Sequence, residues 1–187
     1  MRVFSTKISM NNLKSCCIWL TGLSGAGKST IAQSIKELLA SKGLAAYVLD
    51  GDDLRKGINK DLGYSENDRH ENIRRVSEIA KIMVKAEVIT IVALISPFEK
   101  SREAARQKFK RGDFIEVYVN TPIEICERRD VKGFYRKARS GLIKDFTGLD
   151  SLYQPPANAE IIIDTINESA KESAKRIYEF IEGRAKR

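Results

Sequence analysis

Gly22-Leu23-Ser24-Gly25-Ala26-Gly27-Lys28-Ser29 follows the pattern G-x-x-x-x-G-K-[ST], and its reading decides the fold. Glycines let backbone N–H groups turn inward around phosphate oxygens, where Cβ atoms would obstruct. Lys28 is placed to reach β- and γ-phosphates, and the Ser29 hydroxyl to ligate Mg²⁺. Gly22, Ser24, Gly25, Ala26, Gly27, Lys28, Ser29 and Thr30 are therefore the candidates for holding ATP. The motif requires a strand before it and a helix after it. Ile18-Trp19-Leu20-Thr21 reads as that strand, and Ile31, Ile35, Leu38 and Leu39 share one helical face behind it, closed by Gly43. That helix starts at the loop and aims its positive dipole end at an anion.

Further apolar runs at 45–49, 88–95, 114–119 and 160–163 read as four more strands. Several do not alternate with polar residues, as strands buried on both faces do not. The expectation is an α/β fold of three layers, a five-stranded parallel sheet between helices, in one domain over 1–187.

Composition agrees. The chain has 187 residues, 42% of them hydrophobic and 31% charged, an ordinary globular balance. No apolar run nears the ~20 residues that span a bilayer, and the N-terminus lacks the order of a secretory signal. A cytoplasmic protein without a membrane partner is expected. Cys16, Cys17 and Cys126 form no metal-spaced or redox motif and are expected as reduced thiols. His70, the only histidine, is expected as a surface residue, which leaves no basis for a Ser-His-Asp hydrolase.

The net charge of +8 fits either nucleic acid or small polyanions, so its distribution matters. Residues 171–187 alternate charges as a solvated helix does. A denser cluster comprises Arg128, Arg129, Lys132, Arg136, Lys137, Arg139 and Lys144 against the single acid Asp130, with Gly133 and Gly141 as hinges. Cations that close over a transferring phosphoryl group stabilise its charge, so 128–148 reads as a lid. Phe134, Tyr135 and Phe146 are interleaved there, which keeps nucleic-acid binding open as the alternative.

Two carboxylates stand where the second strand ends, the region in which α/β sheets bind ligands. Asp50 is the candidate for magnesium, with Ser29, and Asp52 for orienting or deprotonating an acceptor hydroxyl. The competing reading makes Asp52-Asp53 simply the acidic first turn of a helix. A guanine-reading N-K-x-D is absent, since Asn59-Lys60-Asp61-Leu62 fails at its last position. Downstream, Ser65-x-x-Asp68 signals a helix start. Arg69 and Asn72 then fall on the apolar stripe of Ile73, Val76, Ala80, Met83 and Val84. They form either a buried structural pair or the wall of a ligand pocket; unpaired buried arginine is costly, which favours the pocket.

Taken together, these motifs resemble the adenylylsulfate kinase (APS kinase) family from Cys17 to about Asp164. Leu49-Asp50-Gly51-Asp52-Asp53-Leu54-Arg55 resembles LDGDN-x-R. Leu62-Gly63-Tyr64-Ser65 and Asp68-Arg69-His70-Glu71-Asn72-Ile73-Arg74-Arg75 match LG[FY]S…DR-x-EN-x-RR. Ile95-Ser96-Pro97-Phe98 resembles ISPY, and 126–139 with 144–148 matches the lid and its exit. The resemblance implies transfer of the ATP γ-phosphoryl to the 3′-hydroxyl of adenosine 5′-phosphosulfate (APS), giving PAPS and ADP. It places Arg55, Arg69 and Asn72 on phosphosulfate and ribose, and Tyr64, Lys144 and Phe146 around the substrate adenine. Asp52 falls near the acceptor hydroxyl and Arg129 on the ATP side. Ile95 and Ser96 line the substrate, Ser96 also being a site the family treats as a phosphoserine. A homodimer without a sulfurylase domain or cysteine switch is implied. Asp53, Phe98 and Ser101 depart from the family pattern, Asp53 adding a negative charge beside an anionic substrate. The alternatives are a small-metabolite or nucleoside kinase of this fold, or a nucleotide-sensing or nucleic-acid-binding module.

Overall fold

In the computed structural model, which describes residues 13–185, the chain alternates strands and helices. The order is β1 (Cys17–Thr21), α1 (Lys28–Ser41), β2 (Ala46–Asp50), α2 (Gly51–Lys56), α3 (Glu66–Lys85) and β3 (Ile89–Ala93). There follow α4 (Glu99–Arg106), β4 (Phe114–Asn120), α5 (Ile123–Arg129), α6 (Phe134–Arg139), β5 (Ile161–Asp164) and α7 (Ala170–Ala185). The sheet is parallel throughout, in the order β2-β3-β1-β4-β5. β1 lies at its centre, and chain direction across the sheet reverses around it. Such a reversal opens a crevice at the carboxyl ends of the strands, where the glycine loop sits.

Every residue of β1 is buried, because layers cover both faces. Ile18 and Leu20 pack with Ile31, Ile35 and Leu39 of α1 and with Ile177 and Ile181 of α7. Cys17 and Trp19 pack oppositely, against Ile73, Val76 and Ala80 of α3 and Ala105 of α4. The three cysteines are buried free thiols. Lys186 and Arg187, the end of the charged tail, lie outside the described residues.

The run expected as a strand over 88–95 leaves the sheet at Ala93. Its end is bent by Ser96, whose φ of 41° lies in the left-handed region that non-glycine residues seldom enter. The bend is held from beneath. Arg102 of α4 is 2% exposed and donates to the Ser96 and Gln154 carbonyls, each at 2.8 Å, and to Glu116 Oε1 of β4 at 2.7 Å.

α3 begins at the expected cap. Ser65 and Asp68 each bond the other's backbone N–H, a complete capping box. His70 corrects its expectation as a plain surface residue: its ring stacks on Phe98 at 4.8 Å and bonds Ser101 through Nδ1, tying α3 to α4.

Candidate active site

One cleft of about 950 Å³ runs across the carboxyl ends of the strands, the size of a nucleotide site. Its first half is the glycine loop. Gly27 takes a φ of 105°, open to glycine, and its carbonyl accepts the first bond of α1 from Ile31 N. Gly25 takes a φ of 73°, and a Cβ there would stand 2.9 Å from the Cys126 carbonyl oxygen. Gly22 lies behind the cleft, packed so closely on β4 that a Cβ would meet the Val119 oxygen at 2.5 Å. Its contribution is to seat the loop against the sheet.

Lys28 is folded over this loop, donating to the Gly22 and Leu23 carbonyls at 2.9 and 2.7 Å. Burial lowers its pKa to about 8. Ser29 Oγ donates to Asp50 Oδ2 at 2.6 Å. Asp50 Oδ1 accepts from Asp52 N at 2.9 Å and so also caps α2. One carboxylate thus fixes the turn into α2 while meeting the P-loop hydroxyl.

Arg129, at the end of α5, reaches the Gly25 and Ala26 carbonyls and the Thr165 carbonyl that follows β5. Thr165, Glu168 and Ser169 line the cleft beside it. These three were not expected from sequence; the Asp164-Thr165 pair ending the last strand was the available signal.

The second half of the cleft is built by α2, α3 and the segment after α6. Asp52 faces across to Lys132, whose ammonium contacts its carboxylate. Arg69 and Asn72 are buried, 7% and 8% exposed, and both line the cleft with Arg55 and Tyr64. The Arg55 guanidinium lies 4.3 Å from the Tyr64 ring centroid and donates to the Leu62 and Gly63 carbonyls. Arg69 donates to the Tyr64 and Asp145 carbonyls at 2.9 and 2.6 Å. Neither arginine has a carboxylate partner among the described ion pairs. Burial first, then the Arg55 charge, lowers the Arg69 pKa from the usual arginine value, the signature of a site suited to an anion.

Ile95, Ser96, Lys144 and Phe146 complete this half. Phe146 meets Tyr135 edge-on at 4.9 Å, and its N–H and that of Asp145 are held by the Asp150 carboxylate. Asp150, a turn-builder, was not singled out from sequence.

Three expectations are corrected. Asp53 points outward: its carboxylate is 74% exposed, pairs with Lys56 at 2.7 Å and does not line the cleft. Its added charge therefore stands away from the site. The Ser96 hydroxyl accepts from Trp19 Nε1 at 3.1 Å and donates to Thr21 Oγ1 at 2.9 Å within a residue only 3% exposed, so it is engaged by the sheet, which suits a hydrogen-bonding serine over the phosphoserine carried by the resemblance. The basic cluster is divided. Arg129, Lys132 and Lys144 line the cleft, whereas Arg139 pairs with Glu127 and Arg128 and Arg136 lie on the outer side.

Residues 14–164 match the family model described as adenylylsulphate kinase. The chain belongs to the adenylylsulphate kinase family. It is 52% identical over 171 residues to a probable adenylyl-sulfate kinase of Halalkalibacterium halodurans, covering 91% of this chain and 85% of that one. The adenylyl-sulfate kinase of Pseudomonas aeruginosa is 51% identical over 177 residues, covering 95% and 90%. Among solved structures, the Mycobacterium tuberculosis APS kinase in complex with AMPPNP and APS superposes with a TM-score of 0.87 at 44% identity. That match covers 90% of this chain and 98% of that one. An adenylylsulphate kinase therefore carries the glycine loop, paired carboxylates and buried arginine found here.

Proposed function

We propose that this chain transfers the γ-phosphoryl group of ATP to the 3′-hydroxyl of APS, giving PAPS and ADP, in sulfate activation. The observation that carries the reading is one cleft with two differently built ends. One end is a phosphate-binding loop, and the other is a pocket with two arginines, neither of which pairs with a carboxylate among the described residues. The complex of the M. tuberculosis relative, which holds a nucleotide analogue and APS together, supports two nucleotides per cleft.

ATP is assigned to the loop half, its phosphates on the backbone of Ser24–Thr30 and its base toward Thr165 and Ser169. Lys28, with a pKa near 8, is protonated in the main at neutral pH and steadies the charge that spreads over the phosphate oxygens. Ser29 and Asp50 offer the hydroxyl and carboxylate oxygens that Mg²⁺ prefers, so the pair fits the ion; bound there it would neutralise phosphate charge. Arg129 adds a positive charge from the far wall.

APS is assigned to the other half, with Arg55, Arg69 and Asn72 on phosphosulfate and ribose and Tyr64, Lys144 and Phe146 about the adenine. Asp52 accepts the proton of the 3′-hydroxyl, or orients that hydroxyl for in-line attack. Lys132 travels with the lid over 128–148 and leaves Asp52 when substrate enters. Ser96 is a positioning residue here. Two nucleotides laid end to end need no covalent carrier.

The remaining expectations belong to the same proposal: one domain, a cytoplasmic setting, no nucleic-acid partner and a homodimer. Among the described residues no helix is long and apolar enough to cross a membrane. Sedimentation at about twice the 21.1 kDa chain mass supports the dimer, and sedimentation at the chain mass contradicts it. The activity is tested by ADP release with APS against AMP, shikimate, gluconate and nucleosides. Turnover confined to APS is expected. Equal turnover with AMP or a sugar acid would instead favour a small-metabolite kinase.

A further inference from the structure

Asn59 is fully buried, lies outside the cleft and belongs to no element, yet its Nδ2 donates to Asn72 Oδ1 at 2.8 Å. An amide side chain has one accepting end and one donating end. With its oxygen occupied by Asn59, Asn72 is left to present its NH₂ donors to the cleft. An anionic ligand beside Arg69, which can only accept, is served by that orientation and repelled by the opposite one.

The segment carrying Asn59 is clamped for this purpose from α3 itself. Arg75, three residues beyond Asn72, donates to the Ile58 carbonyl at 3.0 Å and to both Asp61 carboxylate oxygens at 2.7 and 2.8 Å. Asn59 N is held by the Leu54 carbonyl at 2.9 Å, so the segment is fixed to α2 as well. Asn59 Oδ1, meanwhile, has no partner among the described residues. A buried unpaired oxygen destabilises the fold, a cost set against the hydrogen bond that Asn59 gives Asn72.

We propose that Asn59 is a positioning residue for substrate recognition: it locks the amide of Asn72 with its donors facing the acceptor nucleotide, and thereby sets affinity for the anionic substrate without touching it. The inference rests on the assignment of Asn72 to the APS side of the cleft.

A double-mutant cycle on the full chain tests it, with KM for APS, KM for ATP and the thermal midpoint measured for Asn59→Leu, Asn72→Ala and the pair. Asn59→Leu is expected to raise the APS KM about tenfold while leaving the ATP KM within about twofold, the loss of one oriented amide bond. Its thermal midpoint should move little, since removal of the unpaired Asn59 oxygen offsets loss of the hydrogen bond to Asn72 Oδ1. In the Asn72→Ala background the same substitution should change the APS KM less than about twofold, because the group it orients is absent. Independent, multiplying effects would overturn the proposal while leaving Asn72 on the substrate. An Asn72→Ala enzyme with an unchanged APS KM would overturn the substrate assignment, and the proposal with it. Asn59→Ser, which keeps a donor, serves the same cycle where the leucine variant does not fold. It should retain most of the affinity; a loss as large as that of Asn72→Ala would contradict the orienting role.

Discussion

The Ser29 hydroxyl and the Asp50 carboxylate meet at 2.6 Å, joining the first turn of α1 to the end of β2 across the sheet. The sequence separates these residues by a whole helix and strand, and only the parallel order β2-β3-β1 returns them to one crevice. Asp50→Asn keeps an oxygen to cap α2 but removes the charge. Its expected phenotype is a kcat at least about tenfold lower and a rise in the Mg²⁺ concentration for half-maximal rate, read from a magnesium titration at saturating ATP. Chelating the metal should stop turnover of the unaltered enzyme.

Lys28 gives a pH signature. Its pKa stands near 8 because burial disfavours the ammonium. In the free enzyme kcat/KM for ATP should therefore fall as pH rises through about 8, where the charge that meets the phosphates is lost. The sign for stability is opposite. Between about 8 and 10.5 the unfolded chain holds a proton that the folded chain lacks, so folding stability rises with pH across that window. Lys28→Ala should abolish turnover and flatten the stability change, which thermal melts from pH 7 to 10 would register.

Asp52→Asn preserves shape while removing the proton acceptor and the partner of Lys132. A kcat loss of about 10²–10⁴-fold is expected, with ATP affinity within about threefold by equilibrium titration of a fluorescent ATP analogue. A near-normal kcat would place the acceptor hydroxyl elsewhere.

Arg102 and Glu116 form an ion pair buried at 2% and 9% side-chain exposure. Arg106 Nη2 also reaches Glu116 Oε2 at 3.2 Å, so the loss of Arg102 leaves the carboxylate with one cation in place of two. Arg102→Met should therefore cost less than the ~3–5 kcal/mol of a fully stranded buried charge, on the order of 2 kcal/mol by urea unfolding. It should also free the Ser96 bend and the Gln154 carbonyl that the guanidinium holds.

What the sequence made legible was local chemistry with a fixed period or spacing. The P-loop octet has its geometry written in its glycines, Ser65 and Asp68 cap α3 as spaced, and Arg69 and Asn72 were placed inward by helical phase alone. What it hid were relations made by long-range packing. Asn59 had meaning only as a failed nucleotide motif, because its partner Asn72 reaches it from another element. Asp53 looked like a substrate contact by its neighbours, yet helix phase in α2 turns it to Lys56. The basic cluster read as one lid surface, but α6 splits it between cleft and exterior. Thr165 and Ser169 follow the last strand in a polar turn whose composition resembles any loop.

Phosphoryl transfer to the 3′-hydroxyl is tested by identifying the products made from ATP and APS, by mass spectrometry with ³¹P NMR to locate the new phosphate. One ADP is expected for each APS consumed, with the phosphate on the 3′-oxygen and the phosphosulfate intact. ADP formed without phosphorylated APS, or phosphate attached at any other oxygen, would contradict it.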